Sequence, residues 1–331
     1  MIGMIVLGSF RAVVWVLAVA GFAGLVLAWM IATPIRQPRE LTSISATARA
    51  VDRSGMPGID RFHARDGTEL GYRHYPARAP ASGQVAVVVH GSSGSSISVH
   101  ALAKGLAERG VDVYAPDSRG HGASGTRGDI GYLGQLEDDL ADFVGEIRKA
   151  NPAAPLTLIG HSSGGGFALR VAGSSIQNLF TRTVLLAPYL GYDAPSSRED
   201  AGGWASPDIP RFLALSMLRR LGIICCESLP TIAFAVGPNT SAILAPTYSY
   251  RLMRNFGSSS SYRDDLAAAG RPVAVFAGAA DELMFPDKFK DAVGQHASVR
   301  LIDGVNHMGI VSDPAAVSVI ADEVVKAGGR S

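Results

Sequence analysis

Six short apolar runs, rich in β-branched residues, punctuate the chain after Gln84: "QVAVVVHG", "VDVYAPD", "LTLIGHS", "TVLLAPY", "PVAVFAG" and "SVRLIDG". A half-exposed strand alternates apolar and polar residues, whereas "QVAVVVHG" is an unbroken β-branched run and the others are similar to it, so the sheet they form is expected to be covered on both faces. Helical patterns such as "LEDDLADFVGEIRKA" lie between several of them. That alternation predicts an α/β fold with a mostly parallel sheet and helices on both faces. An antiparallel pair should open the domain, because "RFHARDGTELGYRHYP" holds two short alternating runs around Asp66-Gly67, a dipeptide favoured in tight hairpins.

Ahead of this domain, Ala12 to Thr33 is a run of 22 residues without a charge. At about 1.5 Å per helical residue it spans roughly 33 Å, enough for a hydrocarbon core of about 30 Å. Trp15 and Trp29 lie towards its ends and Arg11 and Arg36 flank it, the placement favoured at membrane interfaces. A single membrane anchor within residues 1–36 is therefore expected. The alternative, secretion after signal-peptide cleavage, fits less well: such apolar regions run about 7 to 15 residues, and the Ala-x-Ala at Ala18 to Ala20 comes early. Arg36 and Arg39 outnumber Arg11 and lean the domain towards the cytoplasm, but large domains translocate largely regardless of such charges, which leaves the side open. Residues 37–58 read as a polar tether without periodicity, and residues 59–328 as the globular domain. Residues 192–271 are too many for a simple crossover. With their apolar patches "RFLALSMLRRLGIICC" and "LPTIAFAV", they are expected to form a cap over the strand ends.

Some classes of partner fall away on composition. Thirty basic residues against 29 acidic ones leave a net charge of +1, too little to attract nucleic acid. The only cysteines, Cys225 and Cys226, are adjacent, a spacing that suits neither a loop-closing disulfide nor a cysteine zinc site.

In an open parallel sheet, working groups gather beyond the carboxyl ends of the strands. Gly160-His161-Ser162-Ser163-Gly164 fits Gly-x-Ser-x-Gly with a strand before it and a helical pattern after it, the setting of a nucleophile elbow. Ser162 is then the nucleophile, and the Ser163 amide at the helix start points to where an oxyanion would form. The second donor is expected from the loop after "QVAVVVHG", at the Ser92 amide. Among eight histidines, His161 is the nucleophile's own neighbour and reads as packing. His63 and His74 sit in the early hairpin, and His296 precedes the last strand. His307 follows that strand and reaches the same end as Ser162, so it is the expected base. Asp281, just past "PVAVFAG", gives the order Ser, Asp, His and is the expected orienting acid, ahead of Asp193 and then Asp303. Gly120 to Gly125 matches Gly-x-Gly-x-x-Gly, but "TRGDIGYLG" follows it in place of a helix, so it reads poorly as a dinucleotide site.

Together, "VVVHGSSG", "PDSRGHGASG", "LIGHSSGGG", "AGAADELMFP" and "GVNHMGI", in this order, resemble the α/β-hydrolase superfamily, in the branch of lysophospholipases, monoacylglycerol lipases and serine aminopeptidase-like enzymes. The resemblance covers about residues 60 to 326, with the cap alike only in position. It implies the α/β-hydrolase fold, Ser162, Asp281 and His307 as the triad, Ser92 and Ser163 as oxyanion amides, and "RGHGAS" as a family landmark. At "SSISVH" the chain departs from the Glu-His or similar pair that monoacylglycerol lipases place after HGxG. The implied activity is hydrolysis of a carboxylic ester, lipid-derived, through an acyl-enzyme and without a metal or organic cofactor. A serine at the elbow, where epoxide hydrolases and dehalogenases need aspartate, excludes their chemistry. A peptidase is the main rival, with Glu199, Asp200 and Glu227 as acids for binding a peptide end, and a non-catalytic membrane scaffold is the other. The oligomeric state has no signature in the sequence.

Overall fold

The computed structural model describes residues 2–78, 80–237 and 244–328. Its centre is an eight-stranded sheet in the order β1 (Asp60–His63), β2 (Glu69–Tyr75), β4 (Asp112–Pro116), β3 (Val85–Val89), β5 (Leu156–His161), β6 (Arg182–Leu186), β10 (Val273–Gly278) and β11 (Ser298–Ile302). Strands β1 and β2 pair antiparallel, as do β2 and β4, and every other pairing is parallel. The opening turn closes through the Gly67 amide, which donates to the Ala64 carbonyl at 2.8 Å with Gly67 at φ 81°.

Each residue of β3 is buried, and successive side chains enter different cores. Val85, Val87 and Val89 join one, and Ala86 and Val88 join the other. A pleat sends neighbours to opposite faces, so an all-apolar strand is stable only between two layers. At about 1.5–3 kcal/mol per buried valine side chain, these runs commit the chain to that arrangement. Helices α3 (His100–Glu108) and α11 (Pro314–Gly328) cover one face with Leu102, Leu106, Ile320 and Val324. Helices α4 (Gln135–Ala150) and α5 (Ser163–Ala172) cover the other with Phe143, Ile147 and Phe167, beside Phe289 of α10 (Phe289–Val293). Glu137 and Asp138 in the first turn of α4, and Arg148 and Lys149 in its last, complement its dipole.

The N-terminus is one helix, α1 (Ile2–Ala32). Its span Val13–Ala32 has a mean hydropathy of 2.3 and is 0% buried against the protein. The stretch expected as an aperiodic tether instead contains helix α2 (Thr42–Ala50), docked through buried Ile44 and a Leu41 amide that donates to the Ala235 carbonyl at 3.2 Å. With Ile44 its only buried side chain, the helix carries no apolar stripe for a sequence reading to detect.

Between β6 and β10 the chain forms a kinked turn, α6 (Asp200–Gly203), and an antiparallel sheet of β7 (Ala205–Pro207), β8 (Pro230–Phe234) and β9 (Thr247–Ser249). Residues 238–243 of this insertion lie outside the described residues. Helix α7 (Ile209–Arg220) links β7 to β8, N-capped by the Asp208 side chain, which accepts from the Arg211 amide at 3.0 Å. Helices α8 (Tyr250–Asn255) and α9 (Tyr262–Ala268) then lead back, with α9 packed on α5.

Candidate active site

Ser162 follows the last residue of β5 and precedes the first of α5, with φ 54° and ψ −119°. A non-glycine residue at positive φ stores about 1–3 kcal/mol of strain, and three hydrogen bonds hold it there. The Ser162 amide donates to the Leu186 carbonyl at 2.9 Å, and its own carbonyl accepts from Gly166 and Tyr189, each at 3.0 Å. The flanking glycines follow from close approach. A Cβ on Gly160 would lie 2.1 Å from the Gly164 carbonyl oxygen, and one on Gly164 would lie 2.2 Å from that of His90. Strand, turn and helix meet in this way only where both positions lack side chains.

Asp281 lies three residues past β10 and His307 five past β11, both at the carboxyl edge where β5 ends. His307 Nδ1 donates to Asp281 Oδ2 at 2.9 Å, and Asp281 Oδ1 accepts from the amides of Leu283 at 2.8 Å and Met284 at 2.9 Å. Both residues are buried. Burial pushes the Asp281 carboxyl up, but the His307 ring and the two amides outweigh it and hold the carboxyl below its ordinary range. An ionised Asp281 keeps the proton on Nδ1 and leaves Nε2 as the lone-pair nitrogen. The His307 amide donates to Glu282 Oε2 at 3.0 Å, which secures the loop.

His161 joins the elbow to that loop. Its Nε2 donates to the His307 carbonyl at 3.1 Å, and the two rings are 4.9 Å apart. Burial, helped by His307, pushes its pKa down to about 3, so it stays neutral. Of the other aspartates considered, Asp193 is exposed and pairs with Arg263 at 3.3 Å, and Asp303 lies exposed in the turn after β11.

The loop after β3 passes over the elbow: a Cβ on Gly91 would stand 3.2 Å from the Ser162 Cβ. Ser92 Oγ accepts from Trp204 Nε1 at 2.9 Å. Ser93, at φ 63°, donates its amide to the Tyr248 hydroxyl at 2.5 Å, and that hydroxyl lies 2.6 Å from His121 Nε2. His121 Nδ1 faces the Ser118 and Arg119 carbonyls at 3.3 Å. With the proton on Nδ1, Nε2 accepts and Tyr248 donates. Burial holds His121 well below its ordinary pKa, with neighbouring His90 adding to the effect, and burial lowers His90 as well. Ser163 opens α5, where a helix leaves its first amides without intrahelical acceptors.

The Gly-x-Gly-x-x-Gly stretch is packed from within. Asp117 accepts from the amides of Ser96 at 2.7 Å and Ala123 at 2.8 Å, a Cβ on Gly122 would strike that carboxylate, and the next α-helix after Gly125 begins only at Gln135. No group of three metal-binding side chains occurs among the described residues. Sequence reasoning missed Trp204, Tyr248 and Glu282. The first two lie in the insertion, which has no motif to mark them, and Glu282 could have been found only by its place beside Asp281.

Residues 80–314 match the family model described as "Serine aminopeptidase, S33". A monoglyceride lipase homologue of monkeypox virus is 32% identical over 108 residues, 32% of this chain and 39% of that protein. A monoacylglycerol lipase of Mycolicibacterium smegmatis is 32% identical over 105 residues, 31% of this chain and 37% of that protein. The chain thus spans about two-fifths of the length of these relatives. Among solved structures, a soluble variant of the Saccharomyces cerevisiae monoglyceride lipase has a TM-score of 0.58 at 16% identity, covering 83% of this chain and 96% of that one. A bacterial membrane phospholipase A has a TM-score of 0.57 at 15% identity, covering 97% of this chain and 99% of that one. At such identities, the structural likeness establishes the fold.

Proposed function

Given that the chain belongs to the serine aminopeptidase (S33) family of α/β-hydrolases, in its monoglyceride lipase-like branch, we propose that it is a membrane-anchored serine hydrolase that cleaves carboxylic esters of lipid origin. The observation that carries this reading is that a strained elbow serine and a buried, hydrogen-bonded Asp281–His307 pair both stand beyond the carboxyl ends of the parallel strands.

In the proposed mechanism, His307 Nε2 takes the Ser162 proton as Oγ attacks the acyl carbonyl, and the Ser92 and Ser163 amides hold the oxyanion. The imidazolium, stabilised by ionised Asp281, returns its proton to the departing alcohol. Water, activated by the same nitrogen, then releases the acid from the acyl-enzyme. An ester of lipid origin is favoured by half-buried Trp204, whose Nε1 donates to Ser92 Oγ of the oxyanion loop and whose ring is backed by the buried rings of Phe234, Tyr248 and Phe256. The bare, strongly apolar surface of α1 supports anchoring, and the phospholipase A likeness, at 97% coverage, omits only about ten residues of 331. Among the acids considered for binding a peptide end, Glu227 is already paired with Arg219 at 2.6 Å, which favours ester over peptide.

The test is turnover of p-nitrophenyl esters from acetate to palmitate, with Ser162→Ala as the blank. A rate peaking at medium or long chains is expected. Rates equal to the blank throughout, with folded protein, would overturn the reading.

A further inference from the structure

Outside α1, ten large hydrophobic side chains are exposed among the described residues, and six of them fall between Ile209 and Ile224. Ile209, Leu213, Met217 and Leu221 recur every four residues along α7, and Ile223 and Ile224 continue the patch in the turn beyond it. Single exposed apolar residues are ordinary, but a contiguous series marks an interaction surface. Its exposures run from 47% for Ile223 to 69% for Ile224.

The place of α7 in the molecule identifies the occupant. Helix α1 leaves the domain against α7, with Leu27, Met30 and Ile31 partly covered there. Arg211 Nε donates to the Ile31 carbonyl at 2.9 Å, its Nη2 donates to the Thr33 carbonyl, and the Thr33 hydroxyl meets Asp208 at 3.3 Å. Arg211 is itself buried and lies 3.5 Å from Asp208, so the start of α7 is fixed to the last turn of the apolar span. If α1 crosses a bilayer, the membrane surface lies at that junction. From Ile209 to Leu221 the patch extends only about 18 Å along the helix. Interfacial helices sink their apolar sides about 5–10 Å into the headgroup boundary, and exposed Arg220 supplies the cation that anionic headgroups attract.

We infer that the exposed side of α7 and the turn after it form a lipid-docking surface, seated in the same bilayer that α1 spans. This rests on the anchor reading above. Docking there ties the insertion to the lipid surface at α7, while Trp204 of the same insertion touches Ser92, so the site is held close to the source of its substrate.

The test uses the full chain in nanodiscs of phosphatidylethanolamine and phosphatidylglycerol, with Cys225→Ser and Cys226→Ser as background. A nitroxide is attached at Met217→Cys in one sample and at Val19→Cys in another, and collision with oxygen is compared with collision with a water-soluble nickel chelate. The expected result is that both positions favour oxygen over the chelate, with Met217 shallower than Val19. Free access of the chelate to position 217 with Val19 protected would overturn docking and leave the anchor standing. Access to both would remove the anchor and the inference together. Position 217 shielded from both agents, with spin–spin broadening between molecules, would assign the surface to a second copy and also overturn it.

Discussion

Tyr248→Phe removes one oxygen from a fully packed place and separates the hydroxyl's role from that of the ring. The hydroxyl accepts from the Ser93 amide at 2.5 Å and donates to His121 Nε2 at 2.6 Å, and the residue is 2% exposed. Phenylalanine keeps the ring contacts to Phe234 at 4.6 Å and His121 at 5.1 Å, so no cavity opens. What remains is one buried donor and one buried acceptor without partners, each costing about 1–3 kcal/mol, for a predicted loss of about 2–6 kcal/mol in unfolding free energy. Ser93 is also held at φ 63°, a left-handed conformation that costs a non-glycine residue about 1–2 kcal/mol. With its amide released, the loop carrying Ser92 relaxes, and a displacement of about 1 Å is enough to lower kcat by about a hundredfold. KM for a short ester should change little, because the lost bonds lie behind the loop. The assay pairs urea unfolding with kcat and KM on p-nitrophenyl butyrate. Stability within about 0.5 kcal/mol of wild type together with an unchanged kcat would show that the hydroxyl neither secures nor positions the loop, and lost stability with unchanged kcat would rule out the positioning role alone.

Three further outcomes follow from the same geometry. Asp281→Asn should preserve the fold yet lower kcat by about 10³–10⁴ by allowing the wrong His307 tautomer; a loss under tenfold in steady-state kinetics would mean that another group orients the ring. Gly164→Ala places a Cβ 2.2 Å from a backbone oxygen, so a loss at the upper end of overpacking, about 3 kcal/mol, is expected in denaturant unfolding, and wild-type stability would contradict the close approach. His90, His121 and His161 all have folded-state pKa values depressed by burial, the last to about 3. Below about pH 6.5 the unfolded chain therefore binds protons that the folded chain refuses, and stability falls with falling pH, by up to about 1.4 kcal/mol per unit for His161, with His90 and His121 acting in the same direction. Equal unfolding free energies at pH 7 and pH 5 would show that these rings are not held neutral.

What could be read before the structure follows from the range of each interaction. The central strands were legible because two-sided burial imposes an apolar residue at every position, as Val85 to Val89 show, whereas β11, at the sheet's edge, is mostly exposed and admits Arg300. Asp281 and His307 could be set at one edge because the parallel order of β10 and β11 brings both loops to the same end. Tyr248 and Trp204 were not legible, since their partners Ser93 and Ser92 lie more than 100 residues away and the intervening chain has no repeating period. Helix α2 escaped because docking, through Ile44 and the Leu41 amide, holds it in place of an amphipathic pattern. The apolar side of α7 was visible in "RFLALSMLRRLGIICC", but its exposure was not, because the same spacing serves a core helix equally well.

Whether Ser162 is the nucleophile is tested most directly by covalent labelling. Full-length protein is treated with a fluorophosphonate, and the modified peptide is located by mass spectrometry alongside Ser162→Ala. One adduct per chain is expected, on Ser162, formed at a rate that falls when His307 is replaced by alanine. Folded protein that takes up no adduct, or takes it up equally in Ser162→Ala, would contradict that role.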